Sequence, residues 1–80
     1  MINHRLVVTA ANGGEAVYTL RAVMYYALHH FTSRFITHQG VVWYHDGSLA
    51  IHEGSLNGIN LSCGCNTLEM PTAAIYAKVD

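Results

Sequence analysis

Two residues have the types and the separation needed for general-base chemistry, His30 and Asp46. A carboxylate on one imidazole nitrogen fixes the tautomer and stabilises the imidazolium, leaving the other nitrogen free to take a proton from a nucleophile. A His–Asp pair at a strand end is also a common surface hydrogen bond, so the spacing alone admits a structural reading. Cys63-Gly64-Cys65 is the second group with reactive atoms. A thiol becomes reactive at a helix N-terminus or beside a cation, and His52 is its nearest candidate base in sequence. Zinc sites favour pairs of close ligands separated by two to four residues. One Cys-x-Cys with scattered histidines therefore reads either as a metal or nucleophile site or, more blandly, as two small thiols in a loop. His29, His38 and His45 share no spacing with the others, and His38 in its loop reads as solvated. Arg34 is suited either to a substrate carboxylate or to a cross-strand contact with Tyr44.

A hairpin must position the pair. His30 to Thr37 and Val41 to His45 are β-rich runs, and the residues between them end in glycine. His38-Gln39-Gly40 suits a type I turn closed by a positive-φ glycine bulge. Pairing Thr37 with Val41 then sets Asp46 opposite Thr32, with His30 a diagonal neighbour on the same face. Diagonal positions lie about 7–8 Å apart, within reach of these two side chains. The same register turns His45 to the opposite face.

The flanking elements are also mostly extended. Leu6 to Thr9 is a short β-branched run stopped by Asn12-Gly13-Gly14, a turn signal. Tyr18 to Ala27 fits two periods. Tyr18, Leu20, Ala22, Met24 and Tyr26 alternate as one strand face, whereas Val17, Leu20, Met24, Ala27, Leu28 and Phe31 form a helical stripe. The β-branched and aromatic content favours the strand. Leu49 to Leu61, with Gly54 and Gly58, reads as loop with one helical turn at most. Ala73 to Val79, after Pro71, reads as a closing strand. The expected fold is mostly β, an antiparallel sheet of about four or five strands.

The chain has 80 residues, 51% hydrophobic and only 11% charged, with a net charge of −1. That is too apolar for a disordered chain and charge-poor for a free-standing domain, so part of its surface is expected to face another half of the domain, a partner or a sister chain. Four basic residues cannot make a phosphate-tracking stripe, which argues against a nucleic-acid partner. No apolar run is long enough to cross a bilayer, so no membrane partner is expected. The two cysteines, one residue apart, would close a strained and trivial loop as a disulfide. Reduced thiols and an intracellular setting, cytoplasmic or nuclear, are the expectation. Met1 to Arg5 lacks the apolar core of a signal peptide.

Several stretches together resemble the C-terminal part of ubiquitin-specific proteases. Tyr18-Thr19-Leu20-Arg21-Ala22-Val23 is similar to the family's Tyr-x-Leu-x-Ala-Val strand. His29-His30-Phe31 is similar to its catalytic-histidine box, and Val42-Trp43-Tyr44-His45-Asp46-Gly47 to the strand before the third triad member. Ala73 to Lys78 is similar to its last strand. Order and spacing agree over Tyr18 to Gly47, about half the chain, and the wording is similar to divergent fungal members. The resemblance implies that His30 is the general base, Asp46 its orienter and Trp43 a packing residue beside them. It also implies one partial domain over residues 1–80, half of a papain-like cysteine peptidase fold. The implied activity is thiol hydrolysis of an isopeptide bond after the C-terminus of ubiquitin or a ubiquitin-like protein, with no cofactor. Three departures stand out. The family's cysteine box is absent, His29 replaces the usual glycine, and Trp43 to Asp46 is one residue short. The missing box implies a nucleophile from a missing N-terminal half and no activity alone. The alternative is a catalytically dead β-sheet module that binds an extended protein tail by strand addition.

Overall fold

The run rich in valine, threonine and tyrosine does form a strand, and the whole fold is organised on it. The computed structural model describes residues 2–47, 49–62 and 70–79. In chain order the strands are β1 (Arg5–Thr9), β2 (Glu15–Ala27), β3 (His30–Ile36), β4 (Val41–His45), β5 (Ala50–Ser55) and β6 (Met70–Lys78), with a 3₁₀ turn at Leu56–Gly58. They make one antiparallel sheet of six strands, with almost no helix. The mostly β, antiparallel expectation holds, with six strands rather than four or five. The addition is β5, in a stretch expected to be loop.

β2 is long enough to serve three neighbours. β6 pairs with Tyr18–Tyr26. β1 pairs with Glu15–Thr19, and β3 with Ala22–Ala27. Because both β1 and β3 overlap β6 in these pairings, they must occupy the other edge of β2. They lie end to end along it, pointing the same way. β4 and β5 continue the sheet beyond β3.

A β-bulge in β2 decides which residues are buried. The β2–β6 register shifts between Leu20 and Ala22. An extra residue in a strand exchanges its two faces from that point on. Leu20 before the bulge and Val23 and Tyr25 after it therefore face the same core. The expected face of Tyr18, Leu20, Ala22, Met24 and Tyr26 is corrected accordingly, since Tyr26 and Met24 leave the core face. Ile36, Val42 and Leu61 complete the core, with Ile2, Leu56, Ile59 and Tyr76 packed against it.

Glycine closes the β3–β4 hairpin. At Thr37–Val41, Gly40 has φ of 79°, its N–H donates to Thr37 O (3.0 Å), and Thr37 N–H donates to Val41 O (2.9 Å). This is the turn and bulge the sequence predicts. The β2–β3 connection is different. Leu28 and His29 have φ of 50° and 62° and link Ala27 to His30 by two residues. Two positive φ values make a primed turn, which matches strand twist but suits Asn-Gly rather than residues with bulky side chains.

The opposite face of the sheet is open and aromatic. Phe31, Phe35 and Trp43 are 57%, 48% and 40% exposed, with Tyr26 beside them. Tyr26 and Phe31 lie with ring centroids 4.6 Å apart, and Trp43 meets His52 edge-on at 5.1 Å.

Candidate functional site

The β3–β4 ladder has the register that the sequence predicts: Ser33 pairs with His45, Arg34 with Tyr44, Phe35 with Trp43 and Ile36 with Val42. Extending it by one step sets Asp46 opposite Thr32, although the ladder itself ends at His45. His30 opens β3 opposite Ala27 and is exposed. Alternation puts it on the side of buried Thr32 and Arg34, and of Asp46. The primed turn at Leu28 and His29 is what delivers His30 to that position.

Asp46 is half-buried and also shapes the backbone. Its carboxylate accepts the Leu49 N–H at 3.0 Å, and its own N–H donates to Leu49 O at 3.2 Å. His45 lies on the other face, as expected, against the Phe35 ring, and its Nδ1 accepts the Gly47 N–H at 3.2 Å. His29 stays beside the turn, where its Nδ1 and the Tyr26 hydroxyl share a hydrogen bond of 3.1 Å. Cys63 and Cys65 lie outside the described residues. Among the described residues no group of three or more histidine, cysteine, aspartate or glutamate side chains could hold a metal ion.

Arg34 has the cross-strand position that one of its readings expects and a further role that neither anticipates. It pairs with Tyr44 across the strands, but its guanidinium turns to the core. Nε and Nη2 donate to the two oxygens of Glu53 at 2.7 and 3.2 Å. Nη1 donates to the Tyr25 hydroxyl at 3.1 Å and to Asn60 O at 2.9 Å. The Tyr25 hydroxyl in turn donates to Leu61 O at 2.7 Å. This network ties β2, β3 and β5 to the segment that covers the core and leads toward Cys63. Burial lowers the Arg34 pKa, but the hydrogen bonds and charges of Glu53 and Tyr25 outweigh it and hold the group above its ordinary value. Arg34 is committed to the fold, so a substrate carboxylate is not its partner. Sequence reasoning missed Glu53 because it lies on β5. His38 is exposed, as expected, and its Nδ1 accepts a hydrogen bond from Arg21 Nη2 at 2.6 Å.

The arrangement can hold an imidazole and a carboxylate on one side of a ribbon, beside a rigid buried network and with an uncovered aromatic face behind it. Comparison with protein-family models, with curated proteins and with solved structures finds no match to this chain.

Proposed function

We propose that the chain is the His–Asp part of a cysteine-type, ubiquitin-specific-protease-like domain, half of a papain-like fold, inactive until a second part supplies the thiol. The observation that supports this reading is the β3–β4 register, which, carried one step beyond Ser33↔His45, would put Asp46 opposite Thr32 and on the side of His30. His30 would take the proton of a thiol held by the missing half. That thiolate would attack the carbonyl after the last residue of ubiquitin or a ubiquitin-like protein. His30 would then return the proton to the leaving amine. The exposed row of Tyr26, Phe31, Phe35 and Trp43 supports a missing half, since large apolar patches mark surfaces that a partner covers.

A second reading is favoured by the sheet edges. β5 pairs only with β4 and β6 only with β2 among the described residues, so each offers an edge to an extended tail. Ubiquitin carrying a C-terminal electrophile separates the ideas. The peptidase reading expects saturable binding of ubiquitin with Cys63 and Cys65 left unmodified, and a cysteine box opening a helix in the gene upstream. An adduct at either cysteine would overturn the external nucleophile. The binding module expects no such upstream box, and tail binding that survives His30→Ala.

A further inference from the structure

The notch where β1 and β3 fail to meet along β2 has chemistry that the peptidase reading does not use. β1 ends its pairing at Arg5↔Thr19, and β3 begins at Ala22↔Phe35. The interval is occupied by the β2 bulge. A recess of about 470 Å³ opens there, lined by His4, Arg5 and Arg21 on the polar side and by Leu20, Ile36 and Leu56 on the apolar side, with Thr37 and His38 at the rim.

Its electrostatics are one-sided. Arg5 and Arg21 are two of the four basic residues in the chain, and no acid lines the recess among the described residues. Arg5 pairs with Thr19, Arg21 is the extra residue of the β2 bulge, and both line the recess. A guanidinium only donates, so the 2.6 Å contact makes His38 Nδ1 an acceptor and holds Arg21 beside the recess. The Arg34–Glu53 ion pair lies elsewhere. Two arginines lining one recess, with no acid among its described lining residues, are matched by an oxyanion, which their planar forks bind in bidentate fashion.

We propose that this notch binds a small organic oxyanion, a carboxylate or phosphate monoester, with its head on Arg5 and Arg21 and its apolar body against Leu20, Ile36 and Leu56. The volume falls in the range of about 300–1,000 Å³ typical of small-molecule pockets and exceeds what an inorganic ion fills. The apolar wall selects for an organic body.

The test is an amide NMR titration of the full chain with phenyl phosphate, benzoate and, as uncharged control, benzyl alcohol. At least one anion is expected to saturate, with shifts confined to Arg5, Thr19–Arg21 and Thr37–Gly40. The tighter of the two identifies the head group. Arg5→Gln and Arg21→Gln should each weaken binding by about tenfold, and Arg21→Lys by less. Arg5 is exposed at the start of β1, so its variant keeps the fold even if Arg21→Gln does not. Asp80 follows Val79 of the lining, so the titration is repeated in Asp80→Asn. Binding about tenfold tighter there would mean that the notch serves the chain's own acid, which would overturn the proposal. So would equal binding of benzyl alcohol, shifts that never saturate, or an Arg5→Gln variant that binds unchanged.

Discussion

Removing Glu53 should cost far more than its place on an edge strand suggests. The Arg34 and Glu53 side chains are only 6% and 16% exposed, and Glu53→Ala leaves two guanidinium edges inside the protein without their acceptor. Breaking a buried pair from one side costs about 3–5 kcal/mol. Water can reach part of the Glu53 site from the edge, so the low end, about 3 kcal/mol, is expected. A domain of this length has about 4–12 kcal/mol in total, so the loss should be plain in a urea titration followed by circular dichroism and Trp43 fluorescence. Arg34→Leu should cost about as much, because it strands Glu53 and removes the donor from Asn60 O. The double variant Arg34→Leu/Glu53→Leu should lose much less than the sum, with a coupling of about 2 kcal/mol. The Arg34 pKa is raised, so its contribution is complete below its ordinary value and is lost only above the folded one. This pair therefore adds no slope to stability near neutral pH through the guanidinium. A Glu53→Ala cost under about 0.5 kcal/mol, the scale of an exposed pair, would refute the reasoning. Strictly additive single variants would do the same.

Two further perturbations test the turns. Leu28→Asn/His29→Gly replaces two residues held at positive φ by those the primed turn prefers, and should stabilise by about 1 kcal/mol, read as a higher thermal midpoint. An unchanged or lower midpoint would show that the turn carries no such strain. Gly40→Ala should cost about 1 kcal/mol in the same assay. An added Cβ there meets nothing within 4 Å, so the whole cost is backbone conformation; a neutral result would contradict the φ of 79°.

The legible parts of the fold are those where local chemistry admits one answer. Gly40 fixed both the hairpin loop and the β3–β4 register, because only a positive-φ residue closes that bulge. The tyrosines and valines of β2 outweighed its helical stripe. The bulge in β2 left no mark, since Arg21 and Ala22 are ordinary strand residues, and that one extra residue exchanged the face of everything after it. β5 was hidden because Ala50, Ile51 and His52 are exposed and Gly54, at φ 113°, sits where the β4–β5 register shifts. Missing β5 also hid Glu53, and with it the true partner of Arg34. The notch could not be read from sequence at all. It depends on β1 and β3 sharing one edge, which is a property of the topology rather than of any segment.

The β3–β4 register was legible; whether His30 and Asp46 act as a pair is a matter for solution measurement. Long-range proton–nitrogen NMR of the neutral His30 ring reads its tautomer directly. If Asp46 orients the ring, the Nδ1–H form should dominate in the wild type and give way to the Nε2–H form in Asp46→Asn. Asparagine keeps the oxygen that accepts the Leu49 N–H, so the turn survives the change. A His30 tautomer that is the same in both proteins would contradict the account.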